Sequence, residues 1–217
     1  HPSEWFDLAT QYEQIESAIR TDVSGGTNTH AGLLAAQKML DAHPSIAANR
    51  KYVVFVSDGL TYLFDEEVNA INSIQAVMAG NDCWGIRHYQ EGGDRFIPDD
   101  WNSYLTNVGS KIGEVQKYIQ QYDGMDKSNH IPKYNTELPT TVDVAMYKSY
   151  SVFNELMASG YHCYVMKADS AAAARYPWGP AFMQYLQEVS GNGNVNFSDI
   201  QNDIFYLLDA DSSVVDV

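Results

Sequence analysis

Asp58 is the residue of this chain best placed to hold a cation. It follows Lys51-Tyr52-Val53-Val54-Phe55-Val56-Ser57 and precedes Gly59. A continuous apolar run of that length reads as a strand buried on both faces, as in a parallel sheet, and Asp58-Gly59 stops it. Hard divalent cations need oxygen ligands: carboxylates, hydroxyls and waters. Open α/β sheets place such ligands at the carboxyl ends of their strands. Thr27 is the second candidate. It lies in a polar, Gly-containing loop, Thr21–Thr29, 31 residues before Asp58 and with a helix between them. A loop–helix–strand unit of this kind brings its two ends to one edge. Each residue also has a plainer reading. Asp-Gly is a common turn signal, and Thr27 or Thr29 suits a helix cap. The joint pattern favours the cation site. Asn28, Thr29, Ser57 and Gly59 are then neighbouring or turn residues, and His30 reads as the first turn of the following helix.

The elements that must position these residues are read from periodicity. Leu8–Arg20 predicts a short helix with Ile15 and Ile19 four apart. His30–Ala42 predicts a helix with Leu33, Leu34, Met39 and Leu40 on one face and Thr29 as its N-cap. Helices are also expected over Phe64–Met78, with Asp65, Glu66 and Glu67 in its first turn, and over Asp99–Gln121. The second carries a stripe of Trp101, Tyr104, Leu105, Val108, Ile112, Val115 and Ile119. Cys83–His88 reads as a strand and Tyr122–Pro139 as a loop. Thr140–Ser159 is a helix with Gly160 as its C-cap, and Tyr161–Lys167 is the second clear strand. Helices over Gly179–Ser190 and Ser198–Leu208 lead to an exit segment, 209–217. Strands alternating with helices predict an α/β fold: a doubly wound, Rossmann-like, mostly parallel sheet with flanking helices. Such sheets usually have ~5–6 strands, so further strands are expected on the N-terminal side. The opening residue is His1 and not Met, as expected of a piece of something larger.

Composition narrows the function class. Of 217 residues, 45% are hydrophobic and 19% charged, which makes the chain globular, and one domain is expected. Lys and Arg total 13 against 28 Asp and Glu, a formal charge of -15. Nucleic acid is not an expected partner, because phosphate binding wants a basic face. No apolar run approaches the ~20 residues of a membrane span. The two cysteines, Cys83 and Cys163, read as buried thiols or, in an extracellular protein, as a disulfide. They form no zinc motif.

Gly25-Gly26-Thr27-Asn28-Thr29-His30-Ala31-Gly32-Leu33, followed by Val53-Val54-Phe55-Val56-Ser57-Asp58-Gly59, resembles the second and third segments of the metal-ion-dependent adhesion site (MIDAS) of von Willebrand factor A (VWA) domains. The resemblance implies a doubly wound fold with Mg²⁺ (or Mn²⁺ or Ca²⁺) at the top of the sheet. It implies that Thr27 binds the ion through its hydroxyl and Asp58 as the acidic ligand, directly or through water. An acidic group of a binding partner would complete the coordination. The family's first segment, Asp-x-Ser-x-Ser, is not found in this sequence; Asp22-Val23-Ser24 lies directly before the Thr27 loop and not after a strand. The resemblance therefore expects the first segment upstream of His1, a single partial domain over 1–217, and a cation site of which this chain holds only part. An insertion at about 60–140 looks like those of Gram-positive surface and pilus-tip adhesins. That implies an extracellular place on a cell wall or pilus and a host or matrix protein or glycan as ligand.

No catalytic residue is assigned. The sequence holds no Gly-x-Ser-x-Gly elbow, no His-Glu-x-x-His and no P-loop. The competing expectations are a structural spacer with an incomplete metal site and a metal-dependent hydrolase using Asp58.

Overall fold

A computed structural model describes residues 5–7, 9–20, 27–64, 97–120, 138–193 and 195–210. The predicted helix over Phe64–Met78 beyond Phe64, the strand at Cys83–His88 and the loop over Tyr122–Pro139 before Leu138 lie outside the described residues, as do Gly25, Gly26, Cys83 and the 211–217 end of the exit segment. The elements run α1 (Tyr12–Ile19), α2 (Thr29–Asp41), a short 3₁₀ turn at Ala48–Arg50, β1 (Tyr52–Ser57), α3 (Trp101–Ser110), α4 (Ile112–Gln120), α5 (Thr141–Ala158), β2 (His162–Lys167), α6 (Ala171–Arg175), α7 (Trp178–Ser190) and α8 (Phe197–Ala210). The fold is mixed α/β. Among the described residues the sheet has two strands, β1 and β2, parallel and paired from Tyr52–His162 to Ser57–Lys167.

The helix boundaries follow local chemistry. α2 is capped by Asn28, whose Oδ1 accepts from the Ala31 N–H at 2.9 Å. The cap is therefore Asn28 and not Thr29, which is the first helical residue. α5 begins with a capping box: the Thr140 hydroxyl accepts from the Asp143 N–H, and the Asp143 carboxylate accepts from the Thr140 N–H at 2.7 Å. α3 is capped by Asp100, whose carboxylate the Ser103 hydroxyl at 2.6 Å holds below the usual carboxylate range. The single helix expected over Asp99–Gln121 is two helices broken at Lys111. Gly109, Ser110 and Gly113 are weak helix formers. The Ser110 hydroxyl also donates to the Asn107 carbonyl, and the Lys111 N–H tightens onto Val108. α5 ends at Ala158, with Ser159 as its cap and Gly160 just beyond, in the left-handed region at φ 80. α1 buries no residue, and Ile19 is exposed.

One core joins the sheet to α2, α3, α5 and α7 through Val53, Cys163, Val165, Leu33, Leu40, Leu105, Val108, Val142, Met146, Phe153, Leu156, Trp178, Phe182, Met183 and Leu186. A smaller cluster gathers Phe64, Val115, Leu138, Val144 and Ala145. Two faces of β1 behave differently. Val53 and Phe55 turn to the core, whereas Val54 is 37% and Val56 57% exposed. The expected burial on both faces is thus corrected. Parallel sheets normally carry helices on both faces, and here no described helix covers the outer face at Val54 and Val56. On β2 the equivalent face is closed: Tyr164 is buried beside Asp203 of α8.

The two edges of the sheet also differ. The His162 N–H donates to the Lys51 carbonyl, so alternate β2 residues from His162 face β1, while Cys163 and Val165 direct their backbone groups outward. Those outward carbonyls are occupied: Gln187 Nε2 donates to Val165 at 3.0 Å and Asn192 Nδ2 to Cys163 at 2.7 Å. No described strand pairs with the far edge of β1.

α2 packs on α5, and a buried lysine ties its last turn to the start of β1. Lys51, 7% exposed, sends its Nζ to the Leu40 carbonyl at 2.6 Å, in the last turn of α2, where a cation meets the negative end of the helix. The Tyr161 ring lies over the same ammonium at 5.1 Å, and its hydroxyl donates to Asp41 at 2.5 Å. The C-terminus of α2 is thereby fixed at the start of β1. Thirteen helical residues span ~20 Å and six strand residues also ~20 Å. The start of α2 consequently reaches the level where β1 ends.

This packing can be tested at two buried groups. The Tyr104 hydroxyl donates to Asp143, which is fully buried. Tyr104→Phe weakens the support of a buried carboxylate and is expected to cost about 1.5–3 kcal/mol in urea unfolding, with an unchanged far-ultraviolet spectrum. A loss near zero would show that the capping box alone suffices. Burial also pushes the free Cys163 thiol up to about 11. At pH 8 the native protein should resist iodoacetamide at Cys163 and react there only in denaturant, as read by peptide mass mapping. Equal labelling in both states would contradict the burial.

Candidate metal centre

The carboxyl ends of the two strands meet at one edge. The Ala168 N–H donates to the Ser57 carbonyl at 2.8 Å, so the ladder runs to the end of β1 and the chain leaving β2 passes beside Asp58. Asp58 is half-buried there. Its Oδ1 accepts from the Leu60 N–H at 3.1 Å and its Oδ2 from the Ser170 hydroxyl at 2.6 Å. The Ser57 hydroxyl accepts from the Gly59 N–H at 3.0 Å. Both side chains therefore fold the turn at the end of the strand.

Gly59 is needed at this turn for two reasons. Its φ is 81, which L side chains rarely adopt, and a Cβ would stand 2.0 Å from the Gly179 carbonyl oxygen. Gly179 is pressed from the other side: a Cβ there would stand 2.6 Å from Leu60 Cδ2 and 2.9 Å from the Asp58 carbonyl oxygen. The first turn of α7 thus packs backbone to backbone on the Asp58 turn.

The Thr27 segment reaches the same place. The Thr27 carbonyl accepts from the Tyr62 N–H at 3.3 Å and the Leu63 N–H at 3.1 Å. The two segments singled out in the sequence, Thr27–Thr29 and Ser57–Gly59, are hence joined through the loop that leaves Asp58. Thr27 is half-buried; Thr29 and His30, 9% and 6% exposed, are packed into the first turn of α2. Asn28 uses its Oδ1 as the cap. In the same loop the Thr61 hydroxyl, 1% exposed, has no hydrogen-bond partner among the described residues.

Among the described residues, hydrogen bonds gather the Asp58 carboxylate and the Ser57 and Ser170 hydroxyls at this edge, with Asp169 next to Ser170 in the chain and Thr27 joined through its backbone carbonyl. Among the described residues no group of three or more His, Cys, Asp or Glu side chains could hold a metal. A set of oxygen donors does not fit zinc, which wants nitrogen and sulfur. It suits a cation that keeps part of its water shell, as Mg²⁺ does. Each Asp58 oxygen accepts one described hydrogen bond and has a second lone pair for such a contact.

Sequence reasoning did not find Ser170 and Gly179. Ser170 carries one signal, an N-cap residue before Ala171-Ala172-Ala173-Ala174-Arg175 and shortly after a strand, where the strand-end rule looks for ligands. Gly179 carries none, since its role is a contact across the fold.

No family model matches the chain, and no curated protein or solved structure matches it.

Gly59→Ala tests the turn. The substitution must leave the left-handed conformation or displace α7, and is expected to destabilise the protein by at least about 2 kcal/mol in chemical unfolding. A neutral effect would mean that the turn and α7 separate freely.

Proposed function

We propose that this chain carries part of the divalent-cation site of an adhesion-type binding module, the VWA class that its Thr27 and Asp58 segments resemble. The supporting observation is their convergence. Thr27 accepts two backbone hydrogen bonds from the loop that leaves Asp58, at the carboxyl edge of a parallel strand pair. Asp58 would hold Mg²⁺, or Mn²⁺ or Ca²⁺ in its place, through the unused lone pairs of its carboxylate, directly or through water. Thr27 would add its hydroxyl. Asn28, Thr29, Ser57 and Gly59 keep the two loops in position. When bound, the cation supplies a fixed positive charge on a chain whose own formal charge is -15. An acidic ligand is repelled by such a surface at longer range and attracted only at that point. The binding is therefore cation-dependent. The partner is a host or matrix protein or glycan bearing a carboxylate, and the module belongs on a cell surface. A further segment of the Asp-x-Ser-x-Ser type would add the ligands that Asp58 and Thr27 leave open. Among the described residues no helix is long and apolar enough to cross a membrane.

One observation favours a second reading, a spacer whose Asp58 only shapes a turn: both carboxylate oxygens and the Ser57 hydroxyl already have backbone or side-chain donors. Mn²⁺ binding followed by water-proton relaxation separates the two. Asp58→Asn keeps an acceptor for the Leu60 N–H and removes the charge. It is expected to weaken Mn²⁺ at least about tenfold, with the remaining enhancement removed by EDTA. Equal binding by both proteins would leave the spacer reading.

A further inference from the structure

Ser170 is the one described side chain that reaches Asp58 from beyond the second strand, and its hydroxyl is fully specified. It accepts from the Ala173 N–H at 2.9 Å as the N-cap of α6. Its single proton goes to Asp58 Oδ2 at 2.6 Å. The Leu60 N–H takes Oδ1. Asp58 is thus held at both oxygens, once from its own turn and once from the exit of β2. The Leu60 contact is local and constrains the carboxylate only relative to its own loop. The Ser170 contact ties it to a neighbouring strand whose end is set by the Ala168–Ser57 hydrogen bond. It fixes the side chain relative to the sheet.

We propose that Ser170 is a positioning residue for Asp58: by donating its hydroxyl proton to Oδ2 it selects the carboxylate rotamer that faces the cation. The proposal rests on the reading of Asp58 as a cation ligand. A carboxylate left free to rotate must be ordered when the ion binds, and that ordering lowers affinity. Outer contacts to ligating carboxylates typically change metal affinity by 10- to 100-fold. The same hydroxyl caps α6, so the cation site and the β2–α6 turn share one proton donor.

The test compares the unaltered chain with Ser170→Gly, Ser170→Thr and Asp58→Asn. Glycine is nearly as good an N-cap as serine but has no hydroxyl, and threonine keeps both functions. Two quantities are read: the Hα–Hβ couplings of Asp58 by NMR without metal, and Mn²⁺ affinity by water-proton relaxation. Ser170→Gly should average the Asp58 couplings and weaken Mn²⁺ by about tenfold, and Ser170→Thr should restore both. Loss of the cap alone would not move the Asp58 couplings. Unchanged couplings in Ser170→Gly overturn the positioning role, whatever the cation does. Averaged couplings with unchanged Mn²⁺ affinity overturn it as well. Equal Mn²⁺ binding by Asp58→Asn, or no Mn²⁺ binding by the unaltered chain, instead defeats the cation reading and the proposal with it, independently of the Ser170 couplings.

Discussion

The parallel, in-register pairing of β1 with β2 governs the arrangement of everything at the candidate centre. Because both strands run the same way and pair from first residue to last, their carboxyl ends fall at one level. The loops that leave the two strands must then share one small region of space. Asp58 and Ser170 are 112 positions apart in the chain and become hydrogen-bonded neighbours for that reason alone. An antiparallel pair would have sent them to opposite ends. The buried Lys51 adds a second fixed point at the other end of β1, where its ammonium terminates α2. A helix as long as the strand, fixed at one end, delivers its other end to the same edge.

How much of this is legible in the sequence depends on the range of the interaction. β1 is readable from Val53–Val56 because β-branched and aromatic residues in a row are a local signal. β2 is readable from Tyr161–Met166 for the same reason. The α5 helix is readable from its apolar stripe, and its capping box is a local signal too, Thr140-x-x-Asp143 before an apolar run. The cap of α2 reads as Thr29 where Asn28 serves, since both residue types fit and only geometry decides. The α3–α4 break is hidden because the apolar stripe from Tyr104 to Val115 continues across it. Both faces of β1 look alike in sequence, and only the packing shows Val54 and Val56 open to solvent. At the centre itself, Thr27 and Asp58 are legible as a pattern. Ser170 and Gly179 act through contacts distant in sequence, which no spacing encodes.

The Asp58 turn serves two physical ends at once. Hydrogen bonds from Leu60 and Gly59 to the Asp58 and Ser57 side chains make it a compact local unit. The Gly59–Gly179 contact makes it a seat for α7. A turn of this kind is rigid without any ligand, which is the condition under which a carboxylate can be offered to a cation at small entropic cost. The plain reading of Asp-Gly as a turn and the chemical reading of Asp58 as a ligand are therefore compatible, because a turn that fixes the carboxylate leaves its second lone pairs in place.

The unequal edges of the sheet give it a direction of growth. Gln187 and Asn192 occupy two carbonyls of the β2 rim, whereas no described strand pairs with the far edge of β1. Each strand added there would move β1 from the rim toward the middle and shift Asp58 from a corner to the crest of a wider sheet. A helix leaving such a strand and crossing the outer face would take Val54 and Val56 out of water, which is favourable by about 25 cal/mol for every Å² covered. The two-stranded sheet is in this sense polarised sideways as well as along its strands. The flank that no described strand pairs with lies on the side of the candidate centre that faces away from Ser170.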